Sequence, residues 1–226
     1  MNWIKALLRP ATSTPKTPSE APTAYRLEDA LKLYLAPALR ADEFKGSGRN
    51  YRRVYNGVVQ ALNVQGSRWG GSFAINLGLQ PLAIPAILDR PVDPKKIGEI
   101  DCVLRRRLRE GETDQWWAHA SAETAASAVQ AAARVYQTVG RALLERQSGP
   151  TAPLWTLQPS DFDTAGIRFE GFNNYGSPAS LAKILAKLRH ASGEIEAARA
   201  FTDVARQEGL NAVDLAELRA QLDTLA

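Results

Sequence analysis

Cys102, His119 and His190 are the residues of this 226-residue chain with the chemistry for nucleophilic catalysis or metal ligation. A nucleophile needs a base beside it, and a metal needs three or four clustered ligands. One cysteine and two scattered histidines do not supply either set, so neither a metal nor a cofactor is expected. Cys102 opens an apolar run, Cys102-Val103-Leu104, where a thiol serves as a small core hydrophobe. Nothing in the spacing of Cys102 and His119 argues for a pair. Paired carboxylates occur only in the acidic C-terminal stretches, where they read as solvated. Trp69-Gly70-Gly71-Ser72 is a lone glycine pair, better read as a turn than as a phosphate-binding loop.

A second kind of chemistry is hydrogen bonding from a sheet face. Arg52, Asn63, Gln65 and Asn76 fall within β-prone runs, although Asn and Gln are poor strand formers. Their functional reading is a surface that holds a ligand or partner; the bland reading is the polar outer face of a half-buried sheet. Arg105, Arg106, Arg107 and Arg109 form a basic cluster, with Arg49, Arg52 and Arg53 as a smaller one. Arg105 and Arg107 with the pair Trp116-Trp117 would suit an acidic protein or single-stranded nucleic acid. One tryptophan of that pair is expected to be buried and the other exposed, as at interface hot spots.

Composition sets the frame for these residues. Hydrophobic residues make up 45% and charged residues 23%, as in an ordinary globular protein. No apolar run approaches the roughly 18 residues a membrane span needs. The single cysteine allows no internal disulfide, which points to the cytoplasm. Residues 191–226 carry seven acids against three arginines, a net of −4, so the remainder of this +4 chain holds +8.

The elements that must position the polar residues are legible in the pattern. Asn56-Gly57 between two β-prone runs predicts a two-residue hairpin, because a type I′ turn needs positive φ at both central residues. That loop pairs Tyr55 with Val58, Arg53 with Gln60 and Tyr51 with Leu62. Phe73, Ile75, Leu77 and Leu79 alternate with Ala74, Asn76 and Gly78, which predicts a third strand with one buried face. Asp101–Arg107 reads as a fourth, after an irregular, proline-rich stretch from Pro81 to Gly98. A helix is expected over Leu27–Leu39, its end shortened or kinked by Pro37. A long one follows Ser121 to about Gln147, with Ala125, Val129, Ala132, Tyr136, Val139 and Leu143 as its apolar stripe. Ser177-Pro178 open another, and two more cover about 193–208 and 213–225. Residues 1–24 hold Trp3, Ile4, Leu7 and Leu8, then a Pro/Ser/Thr linker. The expected organisation is a flexible segment 1–24, an α+β domain 25–150 and a helical extension 151–226 packed on it. The fold class is α+β: an antiparallel four-stranded sheet packed by the long helix, with a helical C-terminal part.

Tyr51 to Arg68, with its Asn-Gly hairpin and Asn63-x-Gln65 end, followed by Phe73-x-x-Asn76-x-Gly78, resembles a bacterial family known as domain of unknown function 4304. Its members continue with an Arg-rich strand and a Trp-Trp pair, matched here by Arg105 to Leu108 and Trp116-Trp117. The resemblance spans roughly residues 27–145 and implies no activity. The functional expectation is therefore a non-catalytic protein-binding module, with neutralisation of a bacterial effector suggested by analogy to small α+β domains. Nucleic-acid binding through Arg105–Arg109 is the first alternative and an enzyme of unknown class the second. The candidate binding residues are Arg52, Asn63, Gln65, Asn76, Arg105, Arg107, Trp116 and Trp117.

Overall fold

A computed structural model of the chain describes residues 25–164, 168–173 and 176–224. Trp3, Ile4, Leu7, Leu8 and the linker over 10–23 lie outside the described residues.

The sheet is antiparallel throughout. Strands β1 (Lys45–Ser47), β2 (Asn50–Tyr55), β3 (Val58–Gly66), β4 (Ser72–Pro81) and β5 (Leu104–Arg107) lie in chain order, and β6 (Trp117–Ala118) also pairs with β4. Among the described residues six strands replace the four expected. β1 and β6 are three and two residues long, too short to show alternation in sequence. β5 starts at Leu104 instead of Asp101, because Glu99–Asp101 form a 3₁₀ turn that brings the chain in across the sheet. Asn56 and Gly57 take φ of 48° and 73°, as the hairpin requires, and the register is Tyr55↔Val58, Arg53↔Gln60 and Tyr51↔Leu62.

Helix α1 comprises Leu27–Ala30, Leu31–Leu35 and Ala36–Ala41 without a break. Pro37 neither shortens nor ends it. The middle segment is a π turn, closed by the Ala36 N–H on the Leu31 carbonyl. That widening relieves the clash a proline ring has with the preceding turn. Helix α2 comprises Ala122–Val135, the π turn Tyr136–Gly140 and Arg141–Arg146. Its start is fixed by a reciprocal cap in which Ser121 Oγ accepts from Thr124 N–H and Thr124 Oγ1 accepts from Ser121 N–H. α1 and α2 pack together over the face bearing Tyr51, Leu62, Phe73, Ile75 and Leu77, all in one buried cluster. Each such side chain contributes about 1.5–3 kcal/mol on leaving water.

Polar groups lock α2 onto this face. Gln60, wholly buried on β3, donates to the Leu144 carbonyl and to Ser148 Oγ, at 3.0 and 2.9 Å. Arg53 Nε donates to Gln60 Oε1, and its Nη1 to the Asp42 carbonyl at the end of α1. The Asp42 carboxylate accepts from Tyr136 and from Arg141, both at 2.7 Å.

After the short helix α3 (Pro153–Thr156) come α4 (Pro178–Ala191), α5 (Ile195–Gln207) and α6 (Ala212–Asp223). Ser177 and Asn211 cap α4 and α6. Leu181, Leu185 and Leu188 meet Phe201, Leu215, Leu218 and Leu222 in the same cluster as the sheet core. The antiparallel bridge of Arg105 with Asn173 extends the β5 edge with chain from this helical part.

The sheet does not have just one buried face. Val59, Ala61 and Cys102 form a second, smaller cluster with Ala86 and Ile97 on the opposite side. The segment after β4 folds back across part of the outer face, which alternation in the strands could not reveal.

Candidate functional site

The outer face is built from rows of residues set opposite one another. One row reads Arg52, Ala61, Gly78, Arg105, and the next reads Asn50, Asn63, Asn76, Arg107. Gln65 lies beyond, opposite Ala74. The candidate residues of the strands thus share a face, but the two rows have different surroundings.

The first row is covered. Arg52 Nη1 donates to the Lys95 carbonyl, and Arg105 donates to the buried Glu99 carboxylate. Between these two clamps Cys102 sits over Gly78, its thiol donating to the Gly98 carbonyl. Burial pushes the Cys102 thiol far above its usual range, so it is no nucleophile at neutral pH. Burial also raises Glu99 above the usual carboxylate value, an effect Arg105 only partly offsets. The Gly78 of the Phe-x-x-Asn-x-Gly pattern is accounted for here: no side chain fits between β4 and the crossing segment.

The second row is not crossed by that segment and is fully networked. Asn76 Nδ2 donates to Gln65 Oε1 at 2.9 Å, and Arg107 donates to Asn76 Oδ1 and Gln65 Oε1 at 3.2 and 3.1 Å. Asn63 donates to Asn50 Oδ1. Arg107 also reaches Asp114 Oδ2 at 3.0 Å, and the same oxygen accepts from Trp116 Nε1 at 2.9 Å. The guanidinium of Arg107 lies 4.7 Å from the Trp116 ring centre. Trp116 is 40% exposed, whereas Trp117 is buried on the other side of the sheet, stacked on Phe73 at 5.6 Å. Trp117 is therefore a core residue, because β6 pairing with β4 turns it toward Phe73.

These contacts make different predictions for the amides. Asn76 is buried and bonds two partners, so Asn76→Ala should cost about 1–3 kcal/mol in a thermal melt. Gln65 is exposed, and Gln65→Ala should stay within about 0.5 kcal/mol. Equal losses for the two would contradict the network.

Trp69 is a residue that sequence reading passed over. It sits in the β3–β4 turn, 83% exposed, with the Arg68 guanidinium 4.5 Å from its ring centre. Its signal was available: a tryptophan inside a Gly-rich turn has no strand face to bury it. The basic cluster, by contrast, is not a free positive surface. Arg105, Arg107 and Arg109 face Glu99, Asp114 and Glu112, and Arg106 donates to the Glu170 carbonyl.

The remaining candidates for chemistry stand apart. His119 shares a hydrogen bond with Tyr25 Oη at 2.7 Å and lies against Phe73, on the side of the sheet away from Cys102. Burial lowers its pKa. Among the described residues no group of three or more His, Cys, Asp and Glu could hold a metal ion. Among them, too, no helix is long and apolar enough to cross a membrane.

A family model described as Domain of unknown function (DUF4304) matches residues 35–146, from within α1 to the end of α2. No curated protein and no solved structure matches the chain. The matched segment holds β1 to β6, both networks of the outer face and the helix that covers the inner one. Residues 35–146, just under half of the chain, are thus similar to the family Domain of unknown function (DUF4304), the one that the hairpin and strand motifs resemble.

Proposed function

We propose that the chain is a non-catalytic protein-binding module whose contact surface is the end of the sheet that carries Trp69 and Trp116. The observation that carries this reading is the pair of exposed tryptophans, each held under a guanidinium. Both lie within a few residues of the Phe73–Trp117 pairing, so they occupy one end of the sheet. Exposed tryptophan is costly to leave in water, and tryptophan with arginine dominates interface hot spots. The Asn76–Gln65–Arg107 network holds Arg107 and Trp116 in place, which lowers the entropy lost on contact.

The test is capture of partners by the native chain and by Trp69→Ala and Trp116→Ala. A specific partner should bind the native chain and lose at least 2 kcal/mol, about thirtyfold, with each variant, while the melts stay unchanged. A partner held equally well by both variants refutes the proposal. Neutralisation of a bacterial effector is one form of this activity, and growth rescue on co-expression tests it.

Nucleic-acid binding is the second reading. The guanidinium–indole pairs favour it, since such pairs stack on unpaired bases. The acids that already face Arg105, Arg107 and Arg109 count against it. Binding of single-stranded nucleic acid that weakens steeply with salt, and is lost in Arg107→Ala, would favour this reading over the first.

A further inference from the structure

At the opposite corner of the sheet, β1 stops before its neighbour does. The ladder between them ends at Lys45↔Arg52, while β2 continues to Tyr55. Before Lys45 the chain turns into α1, where the Phe44 and Glu43 N–H groups bond to the Leu39 and Arg40 carbonyls. The Val64 N–H bonds the Arg49 carbonyl, which sets the alternation of the β2–β3 ladder. Tyr51, Arg53 and Tyr55 therefore bond to β3, and the N–H and C=O of Val54 point outward, past the end of β1. Val54 is also an exposed apolar side chain.

A cleft of about 530 Å³ occupies this corner, lined among others by Lys45, Arg52, Arg53, Val54, Pro94 and Lys95. That volume is in the range of small-molecule sites. The Lys45, Arg52 and Lys95 side chains have no carboxylate partner among the described residues, unlike the arginines of β5. Arg52 spends Nη1 on the Lys95 carbonyl, and its Nε is shielded from solvent without an acceptor. Arg53 Nη2 is likewise shielded without one, its nearest acid being Glu145 at 3.6 Å. Glu43, exposed at the rim, is the one acid among the lining residues. The cleft thus combines a net positive charge, an outward backbone pair and an apolar floor.

We propose that this cleft binds a small organic anion: a carboxylate or phosphate held by Lys45, Arg52 and Lys95, with an apolar body over Val54 and Pro94. The proposal does not depend on the tryptophan surface, since none of its residues is shared.

Titration of the isotope-labelled full chain with benzoate, phenyl phosphate and benzyl alcohol at constant ionic strength tests it. At least one of the two anions should shift the Lys45, Val54 and Lys95 amide resonances saturably, and benzyl alcohol should not. The tighter anion identifies the group the cleft takes. Arg52→Gln and Lys45→Gln should each weaken binding about tenfold. Lys45 is exposed, so its variant keeps the test valid if loss of Arg52 unseats the Lys95 segment. Absence of a saturable shift at these amides with both anions overturns the proposal. So does an equal response to benzyl alcohol, or unchanged affinity in Lys45→Gln.

Discussion

Arg189→Ala should destabilise the protein by about 3–5 kcal/mol, the largest loss expected from any single side chain here. Arg189 is 1% exposed, on α4. Its Nη1 donates to the Leu154 carbonyl at 3.1 Å, and its Nη2 to the Trp155 and Leu157 carbonyls at 2.9 Å each. These carbonyls belong to α3 and its exit, a helix of four residues that cannot bond its own last carbonyls. The guanidinium also lies 5.9 Å from the Phe201 ring centre on α5, and Glu194 sits 3.6 Å from Nε. Alanine would strand the carbonyls in the interior and leave a cavity between α3, α4 and α5. At about 2–4 °C per kcal/mol for a chain of this size, the midpoint should fall by roughly 10 °C. Arg189→Lys should recover only part of this, since an ammonium lacks the planar fork that serves several acceptors at once. A melt within about 1 kcal/mol of the native protein would mean that these hydrogen bonds do not hold α3 to α4.

Gly78→Ala should cost about 1–3 kcal/mol although the backbone there is ordinary strand. A Cβ at this position would lie 2.8 Å from Cys102 Sγ, 3.0 Å from Cys102 Cβ and 3.2 Å from Glu99 Cα. β4 is held on both edges, so the crossing segment must move instead. Its movement would pull Glu99 from Arg105 and Lys95 from Arg52, opening the covered row of the outer face. The double variant with Cys102→Ala removes the closest contact and should recover part of the loss relative to additivity. Strict additivity of the two changes, or a Gly78→Ala cost under about 0.5 kcal/mol, would show that the segment already yields freely.

The same two residues separate what local pattern reveals from what it hides. The α+β class, the Asn56-Gly57 turn and the β2–β3 register were legible because each depends on neighbours a few residues apart. The strand alternation placed Arg52, Asn63, Gln65 and Asn76 on one face for the same reason, while Arg105 and Arg107 joined that face only through the β4–β5 register; Ser121 and Ser177 marked helix starts. β1 and β6 were not legible, being three and two residues long, too short for alternation to show. Nor was the passage of α1 through Pro37, which turns on a π register shift. The division of the polar face was decided by contacts distant in sequence. The segment after β4 has no periodicity to betray where it lies, yet it crosses the first row, where Arg52 bonds the Lys95 carbonyl and Arg105 the buried Glu99 carboxylate. Arg107 and Trp116 are held instead by Asp114 and Gln65, which reach them through the β3–β4 and β4–β5 pairing. Residue type and spacing therefore determined which groups share a face. Long-range packing alone decided which partners they meet, because a partner depends on what crosses a side chain and not on the strand that carries it.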